Sequence, residues 1–231
     1  MSDSNAITVV FFDIDGTMVD THGAGRIAFI NALNAVFGWS GNIDYIRFTG
    51  ATDLDVLSRI FNRNNRELTG VEVSRFFEQL PIELEKSISS CEISRLPGVA
   101  ELLGRLDEYP NVIIGLITGN IESCAHIKLR AADIHRRFTP AAFGHEHGDR
   151  DEIAKLALRR VENLLEPEQR IAASYLIGDS PSDISAAHAI DARAVAVATG
   201  RPTTAELAAA GADIVLKDLA DTDRIIRLLL N

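Results

Sequence analysis

The feature that most constrains this chain is a rhythm: short β-branched and apolar runs, each followed by a turn and an amphipathic helix. Residues 7–12 (ITVVFF), 112–117 (VIIGLI), 173–178 (ASYLIG) and 193–198 (RAVAVA) are such runs. None keeps a strict apolar–polar alternation, so each reads as a strand covered on both faces, as in parallel sheets. Residues 213–216 (DIVL) read as a short edge strand, and helices are expected near 121–131, 151–165, 182–190, 204–210 and 221–230. Strands alternating with helices predict an α/β fold built on a doubly wound parallel sheet.

The rhythm breaks once. Residues 19–95 show no strand pattern but three helical ones: Ile27, Ile30, Leu33 and Phe37; Leu54, Leu57 and Phe61; Val73, Phe76, Phe77, Leu80 and Leu84. A helical stretch of this length between the first two strands predicts an inserted α-helical domain over 19–95. The α/β core then comprises 1–18 and 96–231, restarting at Leu96-Pro97-Gly98. Two hinges are expected, near 18–22 and 90–97.

Composition narrows the function. A net charge of −10 argues against nucleic-acid or anionic-membrane partners, which need a basic face. It still permits an anionic substrate, because a bound cation can reverse the local field. No apolar run nears the roughly 20 residues that cross a bilayer. The first residues, MSDSNAITVVFFDID, lack the basic region and cleavage site of a secretory signal. Cys91 and Cys124 lie far apart and read as reduced thiols, so a cytoplasmic location is expected.

Open α/β sheets place their sites beyond the C-terminal ends of the strands. There lie Asp13-Ile14-Asp15-Gly16-Thr17, then Thr118-Gly119-Asn120, then Asp179-Ser180-Pro181-Ser182-Asp183, with Asp149-Arg150 before a helix. Any one of these aspartates could be a helix cap. Several on one rim repel one another and call for a cation; hard oxygen ligands point to Mg²⁺. Asp13 and Asp15 are two residues apart on an extended segment and start on the same side. One can attack phosphorus while the other moves protons. Gly16 permits a turn that other residues resist. Thr118, with the N–H groups of Gly119 and Asn120, opens a helix as an anion site, and Arg150 offers a fork of donors.

These residues resemble a known family. FFDIDGTMVD at 11–20 is similar to the DxDGT signature of the haloacid dehalogenase superfamily; LITGN at 116–120 and IGDSPSD at 177–183 resemble its second and fourth motifs. GAGRIAFINALNAVFG at 23–38 and GATDLDVL at 50–57 resemble the cap of phosphoglycolate-phosphatase-like members. The resemblance implies that Asp13 is nucleophile and metal ligand. It makes Asp15 the general acid/base, lending its backbone carbonyl to the metal. Thr118 would bind the transferring phosphoryl group, with Gly16 and Thr17 counted among the phosphate contacts. Asp179 would be the second carboxylate ligand, and Asp183 would bind the metal or orient its water. The third motif normally supplies a lysine; here Arg150 is assigned that place, with Lys155 as the alternative.

Other signals are weaker. His145 and His147 read as a solvated loop, and His22 as a surface residue. Arg47 and Thr52, near Thr49 and Asp53, are assigned to the substrate, with helix capping as the alternative. The resulting expectation is a Mg²⁺-dependent phosphatase of a small phosphorylated metabolite, working through an aspartyl-phosphate as a monomer or homodimer. A phosphotransferase of the β-phosphoglucomutase type, or a non-catalytic phosphate-binding protein on the same fold, is the alternative.

Overall fold

The structure, a computed structural model, describes residues 5–136 and 138–230, so positions 1–4, 137 and 231 of the expected core lie outside it. Six strands form one parallel sheet: β1 (Ala6–Phe12), β4 (Val112–Ile117), β5 (Ala141–Ala142), β6 (Arg170–Gly178), β7 (Arg193–Val197) and β8 (Ile214–Leu216). Their order is β5-β4-β1-β6-β7-β8, which puts β1 between β4 and β6, where the winding reverses. Crevices open at such a reversal.

Successive strand residues face opposite sides. Val10 and Phe12 therefore enter one apolar layer, with Leu102 and Leu106 of α4 (Val99–Leu106) and Ile225 and Leu229 of α9 (Thr222–Leu230). Val9 and Phe11 enter the other, with Ile153 and Ala157 of α6 (Arg150–Glu162), Ile184 of α7 (Pro181–His188) and Leu207 of α8 (Thr204–Ala209). This double cover explains why Val9 through Phe12 of β1 read as one unbroken apolar run.

Between β1 and β4 lie α1 (Ala24–Phe37), α2 (Asp53–Arg63) and α3 (Gly70–Ile88). The starts of α2 and α3 are written locally. Thr52 caps α2 by accepting from the Asp55 N–H, and Thr69 and Glu72 form a capping box at α3. The three helices share a third apolar cluster in which the Phe29 and Phe76 rings lie 4.7 Å apart and those of Phe37 and Phe61 5.1 Å. Ile121 joins this cluster with Cys124 and Ile127 of α5 (Glu122–Ala131), so the core lends one helix to the insert.

Two local expectations give way. The buried stripe of α1 is Ala28, Phe29, Ala32 and Leu33 rather than the one starting at Ile27, which is 46% exposed. Within 19–95 no strand was expected, yet β2 (Val19–Asp20) pairs antiparallel with β3 (Ser94–Arg95), and the Leu96 N–H donates to the Met18 carbonyl at 3.0 Å. Strands of two residues are too short to carry a side-chain period, and β5 escapes notice for the same reason. Cys124 is buried and Cys91 partly so, both as free thiols. Among the described residues no helix is long and apolar enough to cross a membrane.

Candidate active site

The end of β1 sets the site. The Asp13 N–H donates to the Ile177 carbonyl of β6 at 2.9 Å, which locks the first carboxylate to the sheet before the chain turns. The Met18 and Val19 N–H groups then both donate to the Ile14 carbonyl at 2.9 Å, closing a tight turn. Gly16 sits in this turn with φ at +78°, and a Cβ there would come within 2.5 Å of an Asp179 oxygen. A Cβ on Gly200 would also strike the Asp179 carboxylate. Both conformation and space therefore require glycine at position 16.

Three carboxylates gather beyond β1 and β6. Asp13, Asp179 and Asp183 are buried, and among the described residues they each offer one oxygen, all within 4.8 Å of one another. Arg150, the first residue of α6, faces them: its Nη2 lies 2.6 Å from Asp13 Oδ1 and 2.6 Å from Asp183 Oδ1. The other Asp183 oxygen accepts from the Ser180 N–H and hydroxyl, at 3.0 and 2.6 Å, in the capping box of α7. One guanidinium does not balance three buried carboxylates. Burial, reinforced by Asp183 and Asp15 against the opposing pull of Arg150, pushes the Asp13 carboxyl up to about 7. Burial and the neighbouring Asp183 and Asp13 push Asp179 up to about 9. Such a cluster of oxygen donors, short of positive charge, fits a hard divalent cation. The Arg150 Nε–H and the Thr17 hydroxyl are buried without a hydrogen-bond partner, as donors awaiting an anion would be.

Asp15 has different surroundings. Its side chain is 40% exposed, yet both oxygens take hydrogen bonds from the Lys128 ammonium, at 2.8 and 2.7 Å, and Oδ2 takes another from Asn120 Nδ2 at 2.7 Å. Asn120 Nδ2 and N also donate to the Thr118 hydroxyl, at 2.8 and 3.3 Å. Burial works against charge on Lys128, but Asp15 and Asp53 outweigh it and raise the lysine above its ordinary range.

A cleft of about 440 Å³ connects these groups to the insert, with Arg26, Phe29, Phe48 and Leu84 among the residues of its far wall. The segment before α2 lies against the core: the Asp53 N–H donates to the Gly119 carbonyl, and Asp53 Oδ2 accepts from the Ile121 N–H, both at 2.8 Å. The Thr52 hydroxyl donates to the Gly148 carbonyl at 3.0 Å.

The structure thus brings together Asp13, Asp15, Gly16, Gly119, Asn120, Arg150 and Asp179 around the cleft, with Asp183 and Thr118 behind them. Lys155 is not at the site; it pairs with Glu152 on the surface of α6, and Arg150 is the basic residue that faces Asp13. Arg47 is exposed and outside the cleft lining, and the Thr52 hydroxyl is committed to its cap and to Gly148. The cation on the insert side is Arg26, which pairs with Asp44 at 2.8 Å and lies over the Phe48 ring. His147 accepts from the Asp149 N–H and His145 stacks on Phe143, so neither belongs to the carboxylate cluster. Sequence reasoning missed Lys128. The available signal was its position in the apolar stripe Ile121, Cys124, Ala125, Lys128, Leu129, where a lysine needs a buried partner.

A doubly wound parallel sheet with helices inserted after its first strand, and carboxylates converging at that strand's end, defines a class of hydrolases. The chain belongs to the haloacid dehalogenase-like hydrolase family, whose model matches residues 10–188. No curated protein matches the chain. Among solved structures it is similar to a hydrolase from Pseudomonas syringae, at 23% identity and a TM-score of 0.74, covering 98% of this chain and 100% of that one. CbbY from Rhodobacter sphaeroides, in complex with xylulose-(1,5)bisphosphate, is similar at 21% identity and a TM-score of 0.72, covering 93% and 96%. A Thermotoga maritima protein provisionally named a β-phosphoglucomutase is similar at 21% identity and a TM-score of 0.61, covering 97% and 100%. At these identities the likeness shows a shared fold.

Proposed function

We propose that this chain is a Mg²⁺-dependent phosphatase that hydrolyses a small phosphorylated metabolite through an aspartyl-phosphate on Asp13. The observation that carries the reading is the divergence of two carboxylates on one turn. Asp13 is buried against Arg150 beside Asp179 and Asp183, whereas Asp15 opens to the cleft. The first is placed to attack and the second to exchange protons. CbbY, captured with a sugar bisphosphate and with phosphate, supports a small phosphorylated substrate.

In the first step an Asp13 oxygen attacks phosphorus, the P–O bond to the leaving group breaks, and the Asp15 carboxyl gives its proton to the departing oxygen. In the second, water attacks the same phosphorus while Asp15 takes its proton. The P–O bond to Asp13 then breaks, which releases inorganic phosphate and restores both groups. Arg150, through its unpartnered Nε–H, and Thr118, through the hydroxyl proton that Asn120 leaves free, hold the phosphoryl oxygens. Asp13, Asp179 and Asp183, with the Asp15 carbonyl, would hold Mg²⁺, which neutralises charge beside those oxygens.

Residues 19–95 act in this reading as a lid hinged on the β2–β3 ribbon, and the segment before α2 closes on the core. The test is phosphate release from a panel of phosphorylated metabolites, with Mg²⁺ and with a chelator, coupled to acid-quench trapping of phosphorylated Asp13. Absence of Mg²⁺-dependent release and of a trapped adduct across the panel would reject the reading.

A further inference from the structure

We infer that Lys128 is the positioning residue for Asp15: its ammonium clamps both carboxylate oxygens and so fixes which oxygen meets water when the aspartyl-phosphate is hydrolysed. This rests on the phosphatase reading above and extends it to a residue outside the four motif segments.

The geometry separates this role from substrate binding. An ammonium has three protons, and Lys128 spends them on three acceptors: Asp15 Oδ1 at 2.8 Å, Asp15 Oδ2 at 2.7 Å and Asn120 Oδ1 at 2.5 Å. None remains for a ligand. The Lys128 side chain is 7% exposed while that of Asp15 is 40% exposed, so the lysine holds its partner from behind and leaves the carboxylate edge on the cleft. Lys128 and, on the insert side, Gly25 of α1 both line the cleft, and a Cβ on Gly25 would lie 3.3 Å from Nζ. The terminal torsion of an aspartate is broad and soft. A cation on both oxygens, with Asn120 Nδ2 on Oδ2, removes that freedom. A base must be aimed as well as present, and a misplacement near 1 Å costs about 100-fold in rate.

Lys128→Met tests the inference. A good-leaving-group aryl phosphate needs no proton in the first step. Single-turnover trapping should therefore show Asp13 phosphorylated within about 3-fold of the wild-type rate and dephosphorylated about 100-fold more slowly. Added to Asp15→Asn, the substitution should slow dephosphorylation no further, since the lysine acts through that carboxylate. A crystal structure of Lys128→Met should show the Asp15 carboxylate rotated. Equal slowing of both steps, additive losses in the double variant, a raised KM with unchanged kcat, or an unrotated Asp15 would each overturn the assignment. Should Lys128→Met fail to fold, Lys128→Gln keeps one donor and should show the same asymmetry between steps at smaller size. If the wild type forms no aspartyl-phosphate, the phosphatase reading fails, and the orientation of Asp15 in the variant still decides the role of Lys128.

Discussion

Asp13 and Asp15 leave the same strand two residues apart and enter opposite electrostatic worlds. Asp13 shares one guanidinium with Asp183, with a third carboxylate in reach, so its buried end has too few positive charges. Asp15 takes hydrogen bonds on both oxygens from a buried ammonium and one more from an amide, in a half-open position. In the proposed function the undercharged end takes a cation and a phosphoryl group, and the compensated end holds a proton carrier steady. A tight turn with Gly16 at its bend makes this possible, because it sends two nearby side chains toward different elements: one to α6, the other to α5.

Substitution on the two sides should separate these roles. Asp13→Asn removes the attacking oxygen and should lower turnover at least about 10⁴-fold, roughly 5.5 kcal/mol of barrier, with no trapped adduct. Asp15→Asn should cost less, about 10²- to 10³-fold, and should leave a long-lived adduct from substrates with good leaving groups. Similar losses with no adduct in either variant would erase the contrast.

Metal and pH sharpen the comparison next. Asp13 and Asp179 are held at about 7 and about 9 against an ordinary value of 3.8. A carboxyl raised on folding contributes stability that is complete below pH 4 and lost as pH rises through its folded value. Without metal, thermal stability should therefore decline between about pH 4 and pH 9. Mg²⁺ competes with protons for these oxygens, so its stabilising increment should grow over the same range. Asp179→Asn should flatten both trends. Calorimetry with and without chelator is the check, and a Mg²⁺ increment independent of pH would count against the cluster as the metal site.

Legibility in the sequence followed how local each structural cause is. The longer strands of the main sheet were readable because cover on both faces demands continuous apolar runs, as Val9 through Phe12 show. The pairings of β2 with β3 and of β5 with β4 were not, since two-residue ladders rest on backbone bonds alone. Asp13, Asp179 and Thr118 could be placed because each immediately follows a strand. Lys128 lies within a helix, and its partner Asp15 is 113 positions away. Only its misfit in an apolar stripe hinted at it. The direction of Arg47, assigned to the substrate but exposed outside the cleft lining, was hidden for a related reason. Residues 39–52 between α1 and α2 are irregular, and coil carries no period from which to read direction.

The smallest expected effect lies at Asp53, where insert and core meet. Its carboxyl is pushed up to about 6, mainly by burial, although the Lys128 charge and the Ile121 N–H both pull it down. Ionising it on folding therefore opposes stability, and the contribution of its neutral form fades as pH climbs from about 4 through 6. Asparagine keeps an oxygen for the Ile121 N–H and cannot ionise. Asp53→Asn should then raise stability at pH 7 by roughly 1 kcal/mol, or a few degrees in Tm, and change nothing at pH 4. The gain should come with a tighter seam between the segment before α2 and Gly119, visible as slower hydrogen exchange at the backbone amides of position 53 and Ile121. Destabilisation at pH 7 would mean that the attraction between Lys128 and Asp53 outweighs the burial of the Asp53 charge, making the two ends of the site one ion cluster rather than two.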